Sequence, residues 1–268
     1  MVKKILYDEM SWPEIKDVVE QGRIPLIPIG STEQHGPHLP TKTDALLVYE
    51  VCKAVAEKVP DTAVVMPPVN YGYNEHHLDF PATVHIDHET LIRFMIDIGK
   101  SLAYHGFKRM IIVNGHGSNH ALMEIAARRI TLETKAICAS LSYFSIAPEA
   151  FKLLKGESSH ACDLETSMML YLSPESVDMS KAVRDWSFQK SKFIKYGVEP
   201  GGTSFATAGG NVQFMDWWSR MSKTGIIGDP TKADAKRGKE MFEIFVDKIA
   251  EFVTEFRTRR ILPRKDYH

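Results

Sequence analysis

Carboxylates and imidazoles recur at four places in this chain, in settings that suit metal ions. They are Gly30-Ser31-Thr32-Glu33-Gln34-His35-Gly36, Asp44, Asn114-Gly115-His116-Gly117 and His160-Ala161-Cys162-Asp163-Leu164-Glu165-Thr166-Ser167. Two divalent cations that share one carboxylate lower the pKa of water and polarise a substrate oxygen, so convergence of these places would make a hydrolase. Glu33 and His35 stand two apart, and in an extended segment both point to the same side. His116 follows the end of a predicted strand, where open α/β sheets bind ligands, and its glycine neighbours permit close approach.

Each of these residues also has a plainer reading. His35 and Glu33 fit a solvated loop. Asp44 opens a predicted helix, and Asp is a good N-cap. Glu165 falls in a predicted first turn, where a carboxylate favours the helix dipole, and Asp163 is a candidate cap there. Cys162 reads as a small buried apolar residue. Adjacent His76 and His77 would point to opposite faces of an extended chain, which is weak for a metal but suits a pocket wall. The Trp217-Trp218 pair reads as core or interface.

The elements that must position these residues alternate between strand and helix. Ser11 caps a predicted helix running to about Gln21-Gly22, with Pro13 in its first turn. Ile24 to Ile29 reads as a buried strand, with an edge or bulge near Pro25 and Pro28. The polar segment Gly30 to Thr43 is a loop. Helical spacing of Leu47, Val51 and Val55 follows from Asp44 to Lys58. Further strands are expected at Thr62–Met66, Lys108–Val113 and Ala136–Ser142, with helices at Asp87–His105, Asn119–Thr134 and Thr231 to about Arg259. This alternation predicts a three-layer α/β/α fold with a mostly parallel sheet. A single domain over residues 1–268 is expected, with an insertion or lid at about 181–218. That stretch is rich in Gly and aromatics without clean periodicity, as in Tyr196-Gly197-Val198-Glu199-Pro200-Gly201-Gly202 and Gly209-Gly210-Asn211.

Composition narrows the partners. Apolar residues make up 44% and charged residues 25% of the 268, the balance of an ordinary globular chain. A net charge of −1 offers no field for nucleic acid or an anionic membrane. No apolar leader and no apolar run long enough for a membrane span is seen. The 3 cysteines are far apart and odd in number, which points to a reducing cytoplasm rather than a disulfide framework.

Taken in order, the motifs resemble those of the creatininase (creatinine amidohydrolase) family, from about Tyr7 to Phe256. The resemblance is carried by Pro28-Ile29-Gly30-Ser31-Thr32-Glu33-Gln34-His35-Gly36 followed by Asp44, by Tyr71-Gly72-Tyr73 with His77-Leu78-Asp79-Phe80-Pro81, by Asn114-Gly115-His116-Gly117, and by Glu165-Thr166-Ser167. It implies two divalent metal ions per chain. Glu33, Asp44 and His116 would bind one, and His35, Asp44 and Glu165 the other, so that Asp44 bridges. His160 matches the family's proton-transfer histidine, and Tyr73, Glu75, His77, Gly117, Ser118 and Glu157 would contact substrate. Nitrogen and oxygen ligands suit zinc, manganese or iron alike. A homo-oligomer, a hexamer built from dimers, is implied as well.

Two departures stand out. Where creatininase has a Tyr-Glu pair after Asn-Gly-His, this chain has Gly117-Ser118, and the family's Phe-Pro-Gly-Thr is Phe80-Pro81-Ala82-Thr83. The expectation is therefore hydrolysis of an amide or cyclic amide C–N bond in a small polar molecule other than creatinine. Ring-opening C–C hydrolysis of a cyclic keto-inositol is the alternative, and a non-catalytic binding subunit is a third.

Overall fold

The structure, a computed structural model, describes residues 3–185, 187, 197–198 and 214–268. Its centre is a four-stranded sheet in the order β2-β1-β3-β4, formed by β1 (Ile24–Ile29), β2 (Ala63–Val65), β3 (Arg109–Asn114) and β4 (Ile137–Ser142). Every pairing in it is parallel. Alternate side chains feed opposite faces. Leu26, Ile111 and Val113 pack under α2 (Thr43–Lys58), α5 (Asp163–Leu172) and α7 (Ala235–Thr258). Ile27, Met110 and Ile112 pack under α1 (Trp12–Glu20), α3 (His88–Tyr104) and α4 (His120–Glu133). The expected three-layer α/β/α architecture is thus observed.

Local chemistry fixes the helix ends. The Glu14 carboxylate accepts from the Ser11 main-chain N–H at 2.7 Å, closing a capping box at α1. Asp87 caps α3 by accepting from Glu89 and Thr90 N–H groups. Leu47, Val51 and Val55 of α2 are all fully buried, as their spacing predicts.

The expectation for β1 needs correction: it lies at the centre of the sheet, in unbroken register from Ile24 to Ile29. Its prolines are tolerated because of where their missing N–H groups fall. Ile24, Leu26 and Pro28 bond toward the β2 side, and Ile29 toward β3. Pro25 precedes the first β1–β3 pair, Leu26 with Ile111, and Pro28 follows the last β1–β2 pair, Leu26 with Val65. Neither proline deletes a ladder bond.

The strand order places a topological switch between β1 and β3. From β1 the chain leaves through α2 on one face, and it reaches β3 through α3 on the other. The carboxyl ends of these two strands therefore open a crevice, the place where such sheets bind ligands. A second, two-stranded antiparallel sheet, β5 (Ser158–His160) with β6 (Ile227–Gly228), brings α5 to the same end. Between them lies the short helix α6 (Trp218–Met221). Most of the stretch read as an insertion, including Tyr196 and residues 199–202 and 209–211, lies outside the described residues. No helix among the described residues is long and apolar enough to cross a membrane.

Candidate metal centre

The loop after β1 carries Glu33 and His35, the loop after β3 carries His116, and the first turn of α2 carries Asp44. Two glycines allow these to meet. A Cβ on Gly30 would lie 2.5 Å from Ala45 Cα, and one on Gly115 would lie 2.8 Å from the Asp44 carbonyl oxygen. Both strand ends thus press against the start of α2, with Asp44 between them. Asp44 is not the cap of α2, which begins at Thr43 after Lys42. Its buried carboxylate faces the crevice instead. Asn119 ties the loops together by donating to the Gly30 carbonyl and accepting from Tyr73 N–H, each at 3.0 Å.

The donor atoms converge. Asp44 Oδ1 lies 3.1 Å from His35 Nε2, and Asp44 Oδ2 lies 3.1 Å from His116 Nδ1. His116 Nδ1 is also 3.2 Å from Glu33 Oε2, and His35 Nε2 is 3.9 Å from Glu165 Oε1. Two triads result, Glu33–Asp44–His116 and His35–Asp44–Glu165, and in each the donor atoms lie within 4.8 Å of one another. A third grouping, Glu33–His35–His160, meets the same criterion. The five residues expected as ligands are therefore neighbours, with His160 beside them.

Outer partners aim the two imidazoles. His116 Nε2 donates to the Tyr73 carbonyl at 3.0 Å, and His35 Nδ1 to the Glu33 carbonyl at 3.3 Å. A carbonyl only accepts, so Nδ1 of His116 and Nε2 of His35 are the atoms left facing the carboxylates. Facing lone pairs repel, and a cation is needed between them. Such outer-shell carbonyl bonds are characteristic of metal-ligating histidines. Glu33 Oε1 and Asp44 Oδ2 are buried without a hydrogen-bond partner among the described residues, an expensive condition that a cation would relieve. The donor set and its orphaned oxygens thus fit divalent metal ions.

The electrostatics agree. Burial disfavours a charged His116, yet Glu33 and Asp44 outweigh it and push the ring up to about 10. Burial likewise opposes charge on His35, but Asp44 and Glu165 hold it well above its ordinary value. Burial raises the Glu33 carboxyl, while Asp44, despite its burial, is held low by His35 and His116.

The remaining expected site residues spread around this centre. His77 Nε2 lies 3.8 Å from Glu33 Oε1. Glu75, His76 and His77 form a 3-10 turn rather than an extended run, so the two adjacent rings stand only 4.3 Å apart instead of facing opposite ways. Ser118 Oγ is 3.0 Å from His76 Nε2, and the neighbouring Gly117 is exposed. Tyr73 donates its hydroxyl to Glu75 at 3.2 Å, toward the rim. Glu157 pairs with Arg184 at 2.6 Å, apart from the ligand triads. Asp163 is not the cap of α5. It is fully buried and paired with Arg237 of α7 at 3.0 Å, and Cys162 precedes the helix.

Two contributors escape a sequence reading. Trp218 stacks on His77 at 4.4 Å and meets His160 edge-on at 5.2 Å, making a wall of the site rather than anonymous core. Gln34 lies within a highlighted motif, but nothing in its residue type discloses that its amide reaches His77, His160 and Gly225.

A family model described as creatininase, creatinine amidohydrolase, matches residues 8–253. The chain belongs to the creatininase family. It is thus a metal-dependent hydrolase. It is 29% identical to a creatinine amidohydrolase of Pseudomonas putida, over 95% of this chain and 98% of that protein. It is 28% identical to a 3-dehydro-scyllo-inosose hydrolase of Thermotoga maritima, over 95% of this chain and 84% of that protein. Solved creatininase structures, one of a zinc–zinc type and one with manganese, match at 27% identity and a TM-score of 0.78, over 96% of this chain and 100% of theirs.

Proposed function

We propose that this creatininase-family hydrolase is binuclear and cleaves an amide or cyclic amide C–N bond in a small polar molecule other than creatinine. The carrying observation is the position of Asp44, with Oδ1 toward His35 and Oδ2 toward His116 at 3.1 Å each. Glu33, Asp44 and His116 would hold one ion; His35, Asp44 and Glu165 the other. Bound zinc, manganese or iron ions would activate water and polarise the scissile carbonyl.

The chain's own residues supply the rest. Burial and nearby His35 hold His160 well below its ordinary pKa, so the resting ring is neutral and begins as a proton acceptor. Having taken the water's proton, it hands that proton to the leaving nitrogen, a role typically worth ~10²–10⁴-fold. Trp218 excludes water beside His77 and His160. Tyr73, Glu75, His77, Gly117 and Ser118 line the approach, with Glu157 further out on Arg184.

Gly117-Ser118 is the basis for setting creatinine aside, since the family's acid/base residue at that point is absent. Ring-opening C–C hydrolysis of a cyclic keto-inositol is the second reading, favoured by the similarity to the inosose hydrolase. A non-catalytic subunit finds no support, because both ligand triads are complete. The homo-oligomeric, hexameric assembly implied by the resemblance, and the cytoplasmic setting suggested by the three widely spaced cysteines, belong to this proposal too.

Metal content and turnover test it together. The purified protein should carry two divalent ions per chain, and Asp44→Ala should lose both ions and activity. Two ions retained in that variant would sink the bridging role. A panel of lactams, formamides and cyclic diketones, assayed with metal added, separates C–N from C–C cleavage.

A further inference from the structure

Gln34 sits between the two metal-triad residues of its loop, but its side chain turns away from them. Gln34 Oε1 accepts from Gly36 N–H at 2.9 Å, which fixes the amide so that its NH2 group faces the other way. That nitrogen lies 3.0 Å from the Gly225 carbonyl, 2.9 Å from His77 Nδ1 and 3.0 Å from His160 Nε2. A flipped amide would set its oxygen against a carbonyl and its NH2 against an N–H. The place is built for this side chain, since a Cβ on Gly225 would fall 1.9 Å from Gln34 Oε1.

An NH2 group has two hydrogens for these three neighbours. His160 Nε2 is already 2.8 Å from the Gln34 main-chain carbonyl. That oxygen only accepts, so His160 carries its proton on Nε2 and cannot also accept there. The two amide hydrogens therefore go to Gly225 and to His77 Nδ1. His77 in turn carries its proton on Nε2.

The consequences meet at Glu33. His160 presents the Nδ1 lone pair 3.6 Å from Glu33 Oε1, and His77 presents an Nε2–H 3.8 Å from the same oxygen. That oxygen has no hydrogen-bond partner among the described residues. The two rings are 4.7 Å apart, and Trp218 stacks on His77 while donating from Nε1 to Gly225. We propose that Gln34 is a positioning residue that sorts two adjacent histidines into opposite roles: through its main chain it makes His160 Nδ1 a proton acceptor, and through its side chain it makes His77 Nε2 a hydrogen-bond donor. His160 then receives the water's proton at Nδ1, while His77 Nε2–H stabilises negative charge developing beside Glu33. The tautomers follow from hydrogen-bond geometry alone; only their use in turnover rests on the hydrolase reading.

Long-range proton–nitrogen NMR correlations on isotope-labelled histidine distinguish the tautomers directly, in the metal-free and the zinc-loaded protein. His77→Gln and His160→Gln assign the signals. The wild type should show both rings protonated on Nε2. In Gln34→Glu the carboxylate can only accept, so His77 should move its proton to Nδ1 while His160, bonded to the main chain, keeps Nε2–H. If that variant does not fold, Gln34→Met removes the donor at similar size, and His77 should then populate both tautomers. An Nδ1–H on His160 in the wild type, or an unmoved His77 proton in the folded variant, overturns the proposal. On the amide selected by the substrate panel, kcat should fall by about 10- to 100-fold with KM changed less than about threefold. A moved His77 proton with unchanged kcat would instead defeat the use of this histidine pair in turnover.

Discussion

The main-chain N–H of Ala161 donates to Glu165 Oε2 at 2.5 Å, and this bond leaves Glu165 Oε1 facing His35 Nε2 at 3.9 Å. Ala161 adopts a left-handed φ of 52° to make it, a conformation that is strained for a residue with a Cβ. Strain is thus held one residue after His160, where it aims a carboxylate. In Glu165→Gln the amide oxygen should keep the Ala161 bond, but an NH2 group would face His35 and the site would lose one negative charge. We expect metal content to fall from two ions toward one per chain, by elemental analysis after dialysis against dilute zinc. Unchanged content and affinity would remove Glu165 from the ligand set.

A proton and a metal ion compete for the same place. In the metal-free protein His116 is pushed up to about 10, because Glu33 and Asp44 outweigh the opposing effect of burial. A raised folded pKa contributes stability that is full below the unfolded value, about 6.5, and is lost as pH rises through the folded value. The chelated protein should therefore lose thermal stability from about pH 7 to about pH 10. Metal-loaded protein should be much flatter, since the ion replaces the proton. Parallel melts of the chelated wild type and chelated His116→Gln check this, and identical pH slopes would refute it.

Behind the site, Arg237 meets both oxygens of the buried Asp163 carboxylate at 3.0 Å. Asp163 also accepts from the N–H groups of Lys155 and Gly156, so it joins α5, α7 and the approach to β5. Arg237→Ala would leave a buried carboxylate short of its cation and should destabilise the protein by about 3–5 kcal/mol. The double variant with Asp163→Ala should cost less than the sum of the single changes. Urea unfolding measures both, and additive losses would mean that the pair is not coupled.

Ala82 stands in the left-handed region at φ 71°. This is the position where the sequence departs from the family's Phe-Pro-Gly-Thr. Ala82→Gly should stabilise by about 0.5–1 kcal/mol, because relief of the Cβ clash exceeds the added freedom of the unfolded chain. A melting temperature that falls in this variant would contradict the reading of strain.

The legible part of the site is the part written in motif order. Singly, Glu33, His35, Asp44 and Glu165 admit plainer readings, and it is the order of the motifs, through the resemblance to the creatininase family, that marks them with His116 as expected ligands. The three layers were legible through periodicity, since Leu47, Val51 and Val55 can bury together only on a helix. What periodicity conceals is register. Pro25 and Pro28 looked like marks of an edge, and only the offsets of β2 and β3 against β1 show why a central strand accepts them. Asp163 looked like a cap because its partner, Arg237, lies far along the chain. Trp218 and Gln34 act through contacts with rings whose positions no local pattern encodes.

The two ligand triads differ in how much of the chain each one needs. Glu33, Asp44 and His116 all hang from β1, β3 and the start of α2, elements finished by residue 116. Glu165 belongs to α5, whose place depends on α7 through Asp163 and Arg237. A growing chain has made the donors of one triad by residue 116, and secures the other only when α7 docks. The order of synthesis thus becomes an order of assembly, with one half of the centre waiting for α7.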